Sequence, residues 1–222
     1  MEVYEAVRTR RSIRKYKDKQ VPWDNVVTIL QAGKYAPSAG NLQNWKFIIV
    51  KSDAKRHAIA KACLNQEWME QSPVFIVVVA EPERARMYYG TRGARLYTIQ
   101  ACAAAMQNMI LTAHSLGLGA CWVGAFDENE IFRILNLAEE KTVQGIVTIG
   151  YADEKPEQPP KFRIEHMTYF EKWWGRIEAP KSHIGWWSMY NVRAVDEGKK
   201  LLRKTGKKIK DHIEKNSVRS NK

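Results

Sequence analysis

The chain predicts an α+β or α/β layered domain in which helices cover a sheet. Three observations point there. Compact β-branched runs alternate with amphipathic segments, and Gly and Pro punctuate the joins. Residues 74–80 are apolar without a break, as in a strand buried on both faces. Residues 91–116 form a long helical pattern rich in alanine, read as a central, nearly fully buried helix.

The elements follow in order. Residues 2–9 read as a short helix with Val3, Ala6 and Val7 on one side. Pro22 suits a first helical turn, and Val26, Val27, Leu30 and Ala32 supply an apolar stripe running to about Tyr35, with Pro37 ending the helix. Residues 45–51 are a strand, and Asp53 caps a helix reaching about Cys63. Pro73 opens the strand 74–80. In the helix 91–116, Ala101, Ala103, Ala104 and Ala105 form a small-residue surface that another helix can approach closely. Gly117 and Gly119 stop it, and 118–123 returns as a strand. Asp127 caps a helix to about Leu135, residues 143–151 form another strand, and 156–160 is an extended, proline-rich connector.

Composition narrows the class. With 222 residues, 45% hydrophobic residues and eight tryptophans, the chain has the material for a substantial core. No apolar run approaches the ~18 residues of a membrane helix, and Met1-Glu2-Val3-Tyr4 lacks the make-up of a signal peptide. Cys63, Cys102 and Cys121 form no CxxC and stand apart from the histidines, so they read as reduced, buried residues of a cytoplasmic protein with no metal site. The net charge is +12, yet residues 181–222 hold 12 Lys+Arg against 4 Asp+Glu. The basic balance belongs mostly to the tail, read as a solvated lysine-rich helix end. Residues 199–210 lack interleaved aromatics, which disfavours nucleic acid as a partner.

The texture changes after about residue 164. Trp173, Trp174, Trp186, Trp187 and Tyr190 crowd a short stretch that one chain would struggle to bury. The expected organisation is a domain over 1–163 and an aromatic, basic extension over 164–222 that packs on a second copy.

Four segments carry candidate chemistry. Arg10-Arg11-Ser12-Ile13-Arg14 concentrates three guanidiniums, whose donor forks match phosphate oxygens. By itself the cluster reads as a solvated basic turn. Residues 37–45, PSAGNLQNW, form a polar loop able to meet the edge of a heteroaromatic ring, or an ordinary helix-to-strand connection. At Gly124-Ala125 a strand ends and a helix begins, leaving backbone N–H groups open to a flat ligand, or simply making a tight turn. Lys161 and Arg163 place two cations on alternate positions of an extended segment, to complete a phosphate site or to blunt an edge strand.

In this order and spacing, RRSIRKY at 10–16, PSAGNLQNWKF at 37–47, AAAMQNMILTAHSLGLGACWVGAFD at 103–127 and PPKFR at 159–163 resemble the nitroreductase family of FMN-dependent oxidoreductases. The resemblance implies an α+β, three-layer fold: a mixed, mainly antiparallel sheet flanked by helices, in an intertwined homodimer with FMN at the interface. It assigns Arg10, Ser12 and Arg14 to the phosphate and ribityl chain, with Arg14 also reaching the pyrimidine edge. Arg11 falls at a variable family position. Lys161 and Arg163 match the cations completing the phosphate site. Pro37, Ser38, Ala39 and Asn41 match a loop along the isoalloxazine contributed by the second chain. Gly124 and Ala125 match the turn whose N–H approaches flavin N5, and Asn65 matches a polar contact to the pyrimidine ring. Asn44 stands where the family has proline, and Trp68 lies near a lysine position of some members.

The implied activity is hydride transfer from NADH or NADPH through flavin N5 to a nitroaromatic, quinone or similar small-molecule acceptor, in a ping-pong cycle through one site. No side chain is read as an essential general acid, base or nucleophile. Two other readings stand beside it: a flavin or nucleotide binding protein without turnover, and a specialised relative that dehalogenates or oxidises rings.

Overall fold

A computed structural model describes residues 1–175 and divides the chain into two compact units, the first spanning Met1–Pro159 and the second beginning at Pro160. The expectations on Trp186, Trp187, Tyr190 and the basic tail lie outside the described residues.

The first unit is an antiparallel sheet between two helical layers. Its strands are β1 (Trp45–Val50), β2 (Val74–Ala80), β3 (Gly119–Val123) and β4 (Thr142–Gly150), in the order β1-β2-β4-β3. All three pairings are antiparallel. Every residue of β2 is buried, as its unbroken apolarity requires. Side chains alternate across a strand, so the two faces of β2 serve two cores. Val74, Ile76 and Val78 pack with Val26 and Ile29 of α2 (Trp23–Lys34) and Met106 and Met109 of α5 (Thr98–Ser115). Phe75, Val77 and Val79 pack with Ile59 of α3 (Asp53–Ala62) and Ile131 of α6 (Glu128–Leu135). The expected three-layer α+β architecture is present.

Two helical expectations change. The pattern read as one helix over 91–116 is three pieces: the end of α4 (Pro82–Arg92), a π-helical turn at Gly93–Tyr97, and α5. Only Ala85 of α4 is buried, so that helix has no apolar stripe to announce it. Helix α5 buries one face only: Ala101, Cys102, Ala105, Met106, Met109, Ile110 and Ala113 are inside, whereas Ile99 is exposed and Ala103 and Ala104 are half-buried. Ala104 still packs against the core, so the helix leaves Ile99 and part of Ala103 on its outer side. Exposed Val3, Tyr4 and Val7 of α1 (Val3–Thr9), together with exposed Tyr35, extend the apolar surface of this helical layer.

In the second unit, Tyr169, Trp173 and Trp174 gather their rings 5.0–5.6 Å apart. Both tryptophans remain exposed.

Candidate functional site

The basic cluster lies along the free edge of β3. Ser12 forms a parallel bridge with Ala120, and the Ile13 N–H donates to the Ala120 carbonyl at 3.1 Å. Further on, Tyr16 bridges Ala152, and Lys17 donates to the Tyr151 carbonyl at 2.9 Å. Residues 12–17 thus cross from the edge of β3 to the chain just beyond β4. Two glycines make room for this. A Cβ on Gly119 would sit 2.9 Å from three carbons of Ile13, and one on Gly150 would sit 2.7 Å from the Tyr16 ring. Ile13 and Tyr16 are buried as a result, and the residues between and before them turn outward.

The three arginines then separate by role. Arg11 Nη1 donates to the carbonyls of Arg8 at 3.0 Å and Arg10 at 2.7 Å, satisfying free acceptors at the end of α1. Arg10 closes α1 through its backbone N–H to Ala6, while its side-chain Nε is buried with no hydrogen-bond partner. Arg14 Cζ sits 5.9 Å from the centroid of the Trp68 ring. None of the three forms an ion pair among the described residues. A buried, unpartnered guanidinium nitrogen beside a second uncompensated cation fits a phosphate, which brings both acceptors and charge.

Ser12 lies against Cys121, whose thiol is pushed up by burial against the lowering effect of Arg14, Ser12 and Arg10. Glu154 accepts from the backbone N–H groups of Arg14 and Lys15, the latter at 3.0 Å. Its carboxylate therefore holds the main chain and leaves the Arg14 head free to turn outward.

The turn after β3 meets the same neighbourhood. Gly124 and Ala125 are exposed, and a Cβ on Gly124 would find nothing nearer than Trp122 Nε1 at 3.9 Å. Packing within the chain thus does not demand glycine there, whereas close approach of a ligand to the backbone would. Gln66 Nε2 donates to the Ala125 carbonyl at 3.4 Å, and the Asp127 N–H donates to Ala62 at 2.8 Å. Asn65, at φ 56°, lies in the tight corner between α3 and the 3₁₀ turn Glu67–Gln71, exposed beside Gln66. Arg10, Ser12, Arg14, Asn65, Gly124 and Ala125 accordingly gather at the β3 side of the sheet.

Pro37, Ser38, Ala39 and Asn41 do not join them. Their loop leads into β1, the opposite edge of the sheet, about 14 Å away at ordinary strand spacing. The loop is ordered locally: Ser38 Oγ accepts from the Gln43 N–H at 3.0 Å. Asn44 is buried and donates through Nδ2 to Thr98 Oγ1 at 2.8 Å, while its carbonyl accepts from Glu81 N–H at 2.9 Å. The departure from proline thus anchors the loop to α5. Lys161 and Arg163 belong to the second unit. Both are exposed there, and Arg163 Nε lies 3.6 Å from Glu165 Oε2.

Three participants escaped the sequence. His114 Nε2 lies 2.8 Å from Thr9 Oγ1, and its pKa is lowered by burial and then by Arg10 and Arg11. Glu154 and Gln66 reach the site through backbone partners 140 and 59 residues away. No local pattern signals such contacts. In the sequence Trp68 stands out only as a departure from the family, and the contact of its ring with Arg14 is a tertiary one.

The chain is similar to proteins of known family. The model described as "Nitroreductase family" matches residues 7–67 and 61–151. A Methanothermobacter thermautotrophicus protein, provisionally named NADH dehydrogenase/NAD(P)H nitroreductase, is 32% identical over 177 residues, covering 78% of this chain and 88% of that protein. A Bacillus subtilis protein named FMN reductase (NAD(P)H) is 28% identical, covering 82% of this chain and 78% of its own. Among solved structures, the NADPH:FMN oxidoreductase from Vibrio harveyi complexed with NAD+ superposes with a TM-score of 0.71 at 25% identity, over 77% of each chain. The matched family segments run through the basic cluster, both core layers and the turn after β3, and on that ground the chain belongs to the nitroreductase family.

Proposed function

We propose that this protein is an FMN-dependent NAD(P)H oxidoreductase that passes electrons to a nitroaromatic, quinone or similar small acceptor by a ping-pong cycle. The observation that carries the reading is the buried, unpartnered Nε of Arg10 in a cation cluster at the edge of β3. Relatives named FMN reductase and NADPH-flavin oxidoreductase support the reaction class. FMN, when bound, supplies the hydride chemistry, and the chain supplies binding and electrostatics. Arg10 and Ser12 hold the phosphate end. Arg14 places positive charge at the pyrimidine edge, where it favours added negative charge. The backbone at Gly124 and Ala125 presents donors beside the reacting ring atom, and Asn65 adds a polar contact. Arg11 is assigned to capping α1. Lys161 and Arg163 are further phosphate cations by family resemblance.

The loop bearing Pro37, Ser38, Ala39 and Asn41 is contributed by a second copy, because within one chain it lies at the far edge of the sheet. The exposed apolar residues of α1 and α5 and the half-buried Ala103 are the surface for that homodimer. Among the described residues no helix is long and apolar enough to cross a membrane, and we place the protein in the cytoplasm.

The test is direct. Purified protein binds FMN, turns yellow, and is bleached by NADH or NADPH under nitrogen, with colour returning on addition of a quinone. Protein that takes up no FMN at micromolar concentrations overturns the reading. Bound FMN that no pyridine nucleotide reduces favours a binding protein instead.

A further inference from the structure

We propose that Trp68 and Gln66 are positioning residues that clamp the Arg14 guanidinium beside the Gly124-Ala125 turn while leaving its charge uncompensated. The inference rests on the flavin reading above. The connection is continuous. Arg14 Cζ lies 5.9 Å from the Trp68 ring centroid. Trp68 Nε1 donates to Gln66 Oε1 at 3.3 Å, and Gln66 Nε2 donates to the Ala125 carbonyl at 3.4 Å. The corner that carries both side chains is itself held. Gln66 N–H donates to the Ala60 carbonyl at 3.2 Å, Met69 beside Trp68 is fully buried, and Asp127 N–H ties the turn to Ala62 at 2.8 Å.

The choice of an aromatic clamp has an electrostatic consequence. A carboxylate partner would fix Arg14 equally well but would cancel its charge. An indole face fixes the planar guanidinium by cation–π attraction, worth about 0.5–1 kcal/mol at a partly exposed site, and contributes no negative charge. The nearby carboxylate, Glu154, is turned onto backbone N–H groups. Among the described residues the guanidinium therefore has no direct ion pair and remains available to negative charge that develops on the ring. Gln66 ties the Trp68 indole N–H to the Ala125 carbonyl, so Trp68 and Gln66 together link the cation to the turn whose backbone addresses the ring.

The experiment compares wild-type protein with Trp68→Leu, Trp68→Phe and Gln66→Leu, reading the affinity for oxidised and reduced FMN and hence the midpoint potential of the bound flavin. Trp68→Leu is expected to lower the preference for reduced over oxidised FMN about two- to fivefold, a drop of about 10–20 mV for a two-electron couple. Trp68→Phe, which keeps a ring face but loses the N–H, falls between, and Gln66→Leu shifts in the same direction. Oxidised and reduced affinities that fall together in Trp68→Leu, or a preference that does not move, overturn the proposal, since a merely structural role predicts those results. A second measurement needs no flavin. The Arg14 side-chain proton resonances of the flavin-free protein should carry a ring-current shift that Trp68→Leu removes, and unchanged resonances also overturn the clamp. Wild-type protein that shows the shift yet binds no FMN overturns the flavin reading and not the clamp itself.

Discussion

The Tyr16 hydroxyl lies 2.7 Å from Thr148 Oγ1, in a buried position that fastens the basic segment to the centre of the sheet. The same hydroxyl donates to the Ile13 carbonyl at 2.7 Å, and Thr148 Oγ1 also reaches the Cys121 carbonyl at 3.4 Å. One phenol thus links the segment that presents Arg10 and Arg14, the edge strand it lies on, and the neighbouring strand β4.

Removing that hydroxyl tests the link. Tyr16→Phe leaves the Ile13 carbonyl and Thr148 short of a partner, at a cost of about 1–3 kcal/mol, read as a lower urea midpoint. Tyr16→Phe with Thr148→Val should cost less than the sum of the two single changes, because the buried partners are removed together. Burial raises the Tyr16 pKa above its ordinary value of 10.0, ahead of the other influences on it. Its folded state therefore favours the neutral phenol. The associated stability is fully present below pH 10 and is lost as pH rises beyond it. Tyr16→Phe should flatten that alkaline decline, and an unaltered decline would count against the assignment.

A second prediction concerns room at the edge of β3. Gly119→Ala puts a methyl group against Ile13 Cβ, which no rotamer can move away. The expected loss is about 1–3 kcal/mol of stability from overpacking. FMN affinity should fall with it, because the Ser12–Ala120 bridge must shift. Adding Ile13→Ala should restore only part, since Cβ remains. Full recovery in the double variant would show that the branch of Ile13, not its backbone position, sets the spacing.

These two positions show what could be read in advance. Strand β2 was legible because burial on both faces leaves only apolar residues, and the cluster 10–14 because adjacent arginines are conspicuous in any context. The division of labour among those arginines was not legible. Whether Arg11 caps α1, or Arg10 Nε stays unpartnered, depends on where α1 ends and on what β3 places opposite. Helix α4 has little sequence signature because it buries little, and the π-helical turn before α5 merges into one helical pattern because Ala94, Arg95 and Leu96 are good helix formers and only Gly93 interrupts them. Asn44 stood out as a missing proline, yet its bond to Thr98 spans 54 residues and has no local signature.

His114 gives a pH prediction. Burial, then Arg10 and Arg11, lower its pKa below the ordinary 6.5, so the folded state prefers the neutral ring hydrogen-bonded to Thr9. A depressed histidine pKa means that the unfolded chain binds the extra proton. Stability present above about pH 6.5 is then lost as pH falls through that value toward the folded pKa. His114→Gln should reduce the difference in melting temperature between pH 7.5 and pH 5.5. Inorganic phosphate, by offsetting the two arginines, should raise the His114 pKa in an NMR titration. A pKa that phosphate leaves unmoved would separate His114 from the anion site.

Asn44→Ala removes the amide that donates to Thr98 and leaves its carbonyl bond to Glu81 in place. Thr98 Oγ1 still donates to Gly93 at 3.0 Å, so the expected cost is at the lower end of about 1–3 kcal/mol. The more informative readout is the loop. Limited proteolysis should cut residues 38–43 faster in the variant, and FMN affinity should fall if a second copy's loop lies on the flavin. Unchanged affinity with faster cleavage would remove the loop from the site.

The composite site can be tested by mixing chains that fail for different reasons. One variant carries Arg10→Ala with Arg14→Ala, which empties the β3 side. The other carries Ser38→Ala with Asn41→Ala, which weakens the loop at the β1 side. If the site is shared between two copies, as proposed, each homodimer of either variant has two damaged sites. If the chains exchange at random, about half the dimers are mixed. Each mixed dimer then holds one site with both defects and one with neither. An equimolar mixture, denatured and refolded together, should therefore recover about a quarter of the wild-type FMN-binding sites. A site built within one chain predicts no recovery beyond that of the separate variants, because every chain in the mixture remains defective. Titration with FMN under conditions where each parent binds weakly decides between the two, and it does so without knowledge of the physiological acceptor.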